Sequence, residues 1–177
     1  VMEVFSSYGF RKTSMRDLAE AAGVSRQTLY NRFKSKEDIL HWAITGASDA
    51  SADLAIAALD GDGSAQDRIV AFFTRWIGDY APKIHGAPHG AEIFDMAMTL
   101  KRGGEEEPAS VVRCQQALVR FLVGMGKTGA EAEDAAFALM MASKGLMLVA
   151  RDTDTFAAGI GRVVGVVVRD NSRILAP

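Results

Sequence analysis

In the stretch Arg26-Gln27-Thr28-Leu29-Tyr30-Asn31-Arg32, every side chain but Leu29 ends in a group that can donate or accept a hydrogen bond. Arginine reaches O6 and N7 of guanine with two parallel donors. Asparagine and glutamine match N6 and N7 of adenine with one donor and one acceptor. Such side chains read base edges only when they share one exposed surface that fits a DNA groove. The surrounding charge points the same way. Between Arg11 and Lys36 stand seven basic residues (Arg11, Lys12, Arg16, Arg26, Arg32, Lys34, Lys36) and two acidic ones (Asp17, Glu20). The whole chain carries a net charge of −2, which argues against indiscriminate coating of nucleic acid. A basic block on a mildly acidic body implies one local contact with phosphates.

Other chemistries are poorly supported. Gly124-Met125-Gly126-Lys127-Thr128 ends like a phosphate-binding loop, but that motif needs glycine where Phe121 stands, and a strand before it. Gly159-Ile160-Gly161 lacks the third glycine of a dinucleotide fingerprint, since Val164 holds its position. His85 and His89, with Glu92 and Asp95 beyond, have spacing suited to a metal on a helix. Gly86 and Pro88 between them argue for a loop instead, and no metal is expected. Cys114 is the single cysteine, so no internal disulfide can form. It reads as a small apolar residue in a helix. No Ser/His/Asp or Cys/His arrangement is legible, and neither an enzyme nor a cofactor is expected.

The elements that would position the reading stretch are helical. Met15, Leu18, Ala19 and Ala22 form one apolar face, Ser14 with Asp17 makes a capping-box pattern, and Gly23 ends the helix. Ser25 starts a second helix through Phe33, with Leu29 and Phe33 inward. The pair, joined by Gly23-Val24-Ser25, is a helix-turn-helix, in which Ala19 sits at the closest approach and Val24, Leu18 and Leu29 form a small core. The second helix can then lie in a major groove. Ser35 caps a long helix from Lys36 to about Leu59, which Asp60-Gly61-Asp62-Gly63-Ser64 breaks. Further helices are expected at 65–80, 91–102, 108–125, 130–151 and 154–170, the last capped by Asp154. The fold class is all-α, about nine helices: an N-terminal three-helix head over 1–45 and a helical body over 46–177.

The longer string carries more than the pair. Gly9-Phe10-Arg11-Lys12-Thr13-Ser14-Met15-Arg16-Asp17-Leu18-Ala19, then Ala22-Gly23-Val24-Ser25, then Thr28-Leu29-Tyr30-Asn31-Arg32-Phe33-Lys34-Ser35-Lys36-Glu37 resembles the signature of the tetracycline-repressor (TetR) family. The resemblance covers about the first 40 residues. It implies a homodimer with a helix-turn-helix on each protomer and a variable helical body that binds a small effector. By matching positions it makes Ser14, Arg16, Arg26, Gln27, Thr28, Tyr30 and Asn31 part of the DNA-contacting set, with Arg32 and Lys36 on phosphates. Two departures stand out. The family usually carries two more turns of helix, with basic residues, before Val4-Phe5, and this sequence starts at Val1. Gln27 is larger than the small residue often found at its position, so the base sequence read cannot be borrowed.

Beyond Thr45 the resemblance is architectural. The helix of Phe137, Leu139, Met140, Met141, Leu146, Met147, Leu148 and Val149 is apolar on nearly every side and needs cover beyond its own packing. A dimer through the last two helices is expected, with Met147, Gly161, Gly165 and Val168 at the interface. Phe72, Trp76, Tyr80, Phe94, Met98, Phe121, Phe137 and Met140 are candidates for an effector pocket, which would take a small hydrophobic or aromatic molecule. The alternative is a regulator answering to a protein partner, or an activator with no small-molecule effector. At 177 residues and 49% hydrophobic the chain can bury a sizeable core. It shows neither a membrane-length apolar run nor a basic leader, so the expected setting is the cytoplasm.

Overall fold

The computed structural model describes residues 1–102 and 108–168, the side chains of 98–102 excepted. Among the described residues there are ten α-helices, a 3-10 turn and no strand: α1 (Met2–Tyr8), α2 (Met15–Ala21), α3 (Arg26–Arg32), α4 (Lys36–Ala58), α5 (Ala65–Trp76), the turn Gly78–Tyr80, α6 (Ala81–Gly86), α7 (Gly90–Arg102), α8 (Ala109–Gly124), α9 (Gly129–Val149) and α10 (Thr153–Val167). The all-α class expected from periodicity is the fold observed.

Local chemistry sets the boundaries. The Ser14 hydroxyl accepts from the Asp17 N–H, and the Asp17 carboxylate accepts from the Ser14 N–H at 2.8 Å. Each partner satisfies a donor that the first turn of a helix leaves free. Ser64 with Asp67 and Thr128 with Glu131 repeat the device on α5 and α9. On α10 the cap is Asp152, which accepts from the Thr155 N–H at 2.7 Å. The expected cap, Asp154, lies in the first turn instead. The segment assigned to loop from Gly86 and Pro88 contains α6. Its proline, Pro82, sits in the first turn, where no N–H is needed, and Gly86 is its last residue.

Two units divide the chain. The first joins Val1–Ala50 to Pro82–Ala109. Its core is Phe5, Leu18, Ala19, Leu29, Ile39, Leu40, Ile44 and Ile93. It therefore takes in α6 and α7 as well as the first 45 residues. Gly90 explains how closely those two helices meet: a Cβ there would clash with the carbonyl oxygens of Lys83 and Ile84. His89 fastens α7 to α1. Its N–H donates to the Ser6 carbonyl at 2.9 Å, and its ring lies against Gly9, whose φ of 83° suits glycine.

The second unit joins Ser51–Ala81 to the chain from Ser110 on. There α10 packs on both α5 and α9. Phe156, Ile160 and Val164 of α10 are fully buried, as are Ile69, Phe72 and Phe73 of α5 and Leu139 of α9. Two glycines permit the closest approaches: a Cβ at Gly78 would lie 2.6 Å from the Phe156 ring, and one at Gly159 2.7 Å from Leu146.

The caps make stability depend on acid. Hydrogen bonds from Ser14, Ser64, Thr128 and Thr155 hold the carboxyls of Asp17, Asp67, Glu131 and Asp152 below their ordinary pKa. A carboxyl whose pKa is lower folded than unfolded stabilises the fold above its unfolded value, and that contribution is lost as pH falls through the folded one. The variant Asp17→Asn/Asp67→Asn/Glu131→Gln should melt below the parent at neutral pH. Its melting temperature should fall less than the parent's between about pH 5 and pH 2, as scanning calorimetry across pH would show.

Candidate nucleic-acid interface

α2 and α3 meet over few atoms. Leu18 and Ala19 of α2 and Leu29 of α3 are buried together. Gly23, with φ of 66°, takes the left-handed conformation that stops α2, and the Val24 N–H donates back to the Ala19 carbonyl at 3.0 Å. Val24 was expected in the core of the pair. Its backbone closes the turn, but its side chain is 40% exposed. The Ser25 hydroxyl caps α3 by accepting from the Thr28 N–H at 3.0 Å, and it bonds the Thr28 hydroxyl at 2.8 Å.

The outcome is a short helix that buries only Leu29 and presents the rest. Arg26, Gln27, Thr28, Tyr30, Asn31 and Arg32 are all exposed. Around them Arg11, Lys12, Arg16 and Lys34 are exposed as well, which gives the head a basic surface. Arg32 is steadied from behind: its guanidinium lies 5.2 Å from the Trp42 ring centre and 5.5 Å from that of Phe33. Those rings hold the planar group while leaving its edge donors open. Gln27 donates to Asn31 at 2.9 Å, so the two amides are linked along one face.

Lys36, expected to contact phosphate, is engaged within its own chain. Its ammonium donates to the carbonyl oxygens of Phe10 at 2.7 Å, Arg11 at 3.2 Å and Thr13 at 3.2 Å, and sits 4.5 Å from the Phe10 ring centre. An ammonium has three donors, and all three are engaged. Lys36 thus ties the first turn of α4 to the segment between α1 and α2. The carbonyl partners lie 23 to 26 residues away in sequence, and no spacing rule points to them. His89 was missed in the same way: weighed as a metal ligand, it pairs with Glu92 at 2.9 Å and docks on Gly9. Among the described residues no group of three or more His, Cys, Asp or Glu side chains gathers as a metal site. Burial pushes the Cys114 thiol up to about 12, so it stays protonated and inert.

The residues expected to line an effector pocket do not come together. Phe72, with Phe73 and Trp76, forms an aromatic cluster with ring centres 4.9 to 6.2 Å apart, and all three are buried. Tyr80 bonds Ser51 through its hydroxyl at 2.6 Å. Phe94 belongs to the first unit, half-buried. Met140 is buried in α9 while Phe137 on the same helix is 63% exposed. Phe121 carries the Arg68 guanidinium 4.7 Å from its ring centre. The side chain of Met98 lies outside the described residues. Helical spacing identified apolar positions, of which Phe72, Trp76 and Met140 are filled core. Two open depressions are present in the second unit. One, of about 620 Å³, lies between α8 and α9 beside Val112, Val119, Arg120, Asp134 and Phe137. The other, of about 280 Å³, is bounded by Ile56, Leu59, Asp60, Ala117, Arg120 and Phe121.

The residues expected at a dimer interface have neighbours within their own chain as well. Gly161 faces Val70 of α5, and its carbonyl accepts from Gln66 at 3.3 Å. Gly165 faces the same Gln66, Met147 is buried, and Val168 is half-buried at the end of α10. The small-residue face of α10 is covered by α5 of its own chain. The large apolar residues left exposed in the second unit include Val112 and Val123 on α8, Phe137, Met141, Leu148 and Val149 on α9, Leu54 on α4 and Val166 on α10.

The geometry of Lys36 yields a test. Lys36→Met should cost about 1–3 kcal/mol of stability and weaken binding to duplex DNA through a loosened head. The slope of log K against log salt should not change. A phosphate contact would instead lower that slope by roughly 1. Thermal melts and a salt titration of DNA binding read both quantities.

Comparison with known proteins agrees with this surface. The sequence pattern of the family described as bacterial regulatory proteins, tetR family, matches residues 2–42. The uncharacterized HTH-type transcriptional regulator YezE of Bacillus subtilis (strain 168) is 31% identical over 72 residues, which are 41% of this chain and 37% of that protein. The chain thus matches little more than a third of that relative's length. The TetR family transcriptional regulator PfmR from Thermus thermophilus shares the fold at a TM-score of 0.63 and 19% identity, over 97% of this chain and 96% of its own. A TetR variant from Acinetobacter baumannii AYE, in complex with minocycline, does so at 0.53 and 19%, over 99% and 93%. At such identities the structural likeness concerns the fold alone. No helix among the described residues is long and apolar enough to cross a membrane. The likeness to the tetR family of bacterial regulatory proteins lies in the helix-turn-helix segment, residues 2–42.

Proposed function

We propose that the chain is a repressor that binds a palindromic operator as a homodimer, with α3 of each protomer in a major groove. The observation that carries this is α3 itself, held by Leu29 and presenting Arg26, Gln27, Tyr30, Asn31 and Arg32 to solvent on a basic head. A helix so lightly buried is of little use as structure. Its polar tips match base edges and phosphates.

The proposed dimer joins α8 and α9 of two copies. Phe137, Met141 and Leu148 recur along one face of α9, and Val112, Val119 and Val123 along one face of α8. The depression of about 620 Å³ between the two helices would take side chains of a twofold-related partner. Polar Gln115, Gln116, Glu133 and Asp134 rim it, the arrangement of an apolar centre with a solvated edge.

Release by a small effector is the finer part of the proposal. The relative in complex with minocycline is a precedent on this fold. Here the depression lined by Ile56, Leu59, Ala117 and Phe121 together with Asp60 and Arg120, about 280 Å³, suits only a small molecule, since ligand pockets run to about 300–1,000 Å³. α4 supplies Ile56 to that depression and Lys36, Ile39 and Leu40 to the head, so a ligand that moves α4 would act on DNA binding. The closed packing of Phe72, Phe73 and Trp76 favours a second reading, in which a protein partner rather than a small molecule sets DNA affinity.

One set of titrations tests the central reading, using a duplex selected by the full chain from a randomised pool. Arg26→Ala should weaken binding to that duplex by about 1–3 kcal/mol and leave binding to random DNA nearly unchanged. Phe137→Asp/Met141→Asp should yield a folded monomer by light scattering, with operator affinity lost because half-site spacing is set by the dimer. Equal losses on both duplexes, or a dimer unaffected by the aspartates, would contradict the proposal.

A further inference from the structure

The two linked amides on α3 carry information beyond the presence of a reading helix. Gln27 Nε2 donates to Asn31 Oδ1 at 2.9 Å, one helical turn apart, and both side chains are exposed. Of the neighbouring polar tips, the Thr28 hydroxyl bonds Ser25, and the face of the Arg32 guanidinium rests on Trp42. We propose that Gln27 and Asn31 read DNA as one unit, in which Gln27 sets the edge that Asn31 shows to the bases. This inference rests on the reading of α3 as the DNA-contacting helix.

A primary amide has a donor end and an acceptor end, and an unattached asparagine turns over between them at little cost. The bond from Gln27 removes that freedom. It occupies one lone pair of Asn31 Oδ1, fixes that oxygen toward position 27, and leaves the amino group, with its two hydrogens, on the outer side. An outward amino group seeks acceptors in the major groove: N7 of a purine, O6 of guanine or O4 of thymine. Gln27 keeps its own carbonyl oxygen as an acceptor one turn earlier. That oxygen suits an amino group, N6 of adenine or N4 of cytosine. The matching ligand is therefore a short run of base pairs that offers an amino group toward Gln27 and an acceptor toward Asn31. Neither residue acting independently imposes that order.

Changing the polarity of position 27 tests the linkage. In Gln27→Glu the carboxylate can only accept, so Asn31 must turn its amino group inward to donate to it and its carbonyl oxygen outward. Base preferences of the full-length wild type, Asn31→Ala, Gln27→Ala and Gln27→Glu are measured on the duplex that the wild type selects from a randomised pool, with each base pair varied in turn. The position whose preference disappears in Asn31→Ala defines where Asn31 reads. At that position Gln27→Ala should relax the preference, and Gln27→Glu should move it from an acceptor-bearing to an amino-bearing base, by on the order of tenfold. The added negative charge lowers affinity for all duplexes and shifts the preference where residue 27 itself reads, so the comparison is made at the Asn31 position. Unchanged preference at the Asn31 position in both Gln27 variants would overturn the inference and leave two independent readers. Wild-type protein that enriches no duplex at all would instead remove the DNA-reading proposal beneath it. All four proteins are compared at equal helicity, and Gln27→Ala decides the matter alone if the glutamate variant does not fold.

Discussion

Leu29 is the one side chain of α3 that is buried, and the reading surface hangs on it. It closes on Leu18 and Ala19 of α2, with Phe5, Ile39 and Leu40 completing the same core. A seven-residue helix is far too short to persist in water unaided, so this apolar anchor and the Ser25 cap must fix both its existence and its direction. Because a single residue does the anchoring, six side chains are left outside the core. That arrangement is what allows Arg26, Gln27, Tyr30, Asn31 and Arg32 to be chosen for what they touch outside the protein. Larger burial would have removed polar positions from the surface, and less would have let the helix melt.

The rest of the first unit serves to keep that anchor rigid. Lys36 pulls the carbonyls of Phe10, Arg11 and Thr13 onto the first turn of α4, and Thr13 bonds the Gly9 carbonyl through its hydroxyl at 2.8 Å. His89 fixes α7 on the end of α1. The Lys36 charge is thus committed to backbone, which leaves Arg11, Lys12, Arg16, Arg32 and Lys34 as exposed cations of the head beside Arg26. α4 has buried residues in both units, Ile39, Leu40 and Ile44 in one and Ala52, Ala55 and Leu59 in the other. Any control exerted on the head by the second unit, as proposed, has this helix as a continuous covalent route.

How much was legible in the sequence followed from the range of the signals. The helix-turn-helix was readable because its determinants are local: a cap and its partner three residues apart, Gly23 at a left-handed turn, Ala19 and Leu29 at helical spacing. Helix positions in the second unit were legible for the same reason. What covered each face was not. The glycines of α10 signalled a close neighbour, and within the chain α5 is one such neighbour. Phe72 and Trp76 were identified as apolar, yet periodicity does not separate a residue that fills a core from one that lines a hole. Gly86 read as a breaker, but as the last residue of a six-residue helix it breaks nothing. Lys36 and His89 depend on partners far along the chain, for which one sequence offers no spacing to follow.

The central claim is that α3 meets the major groove from a twofold dimer. Dimethyl sulfate interference measures this directly, because methylation of guanine N7 blocks the major groove and methylation of adenine N3 the minor groove. On the duplex selected by the full chain, the account predicts interference at guanine N7 in two symmetric blocks whose centres lie about one helical turn, roughly 10 base pairs, or a multiple of it apart. Interference confined to adenine N3, or a single block without a symmetry mate, would contradict it.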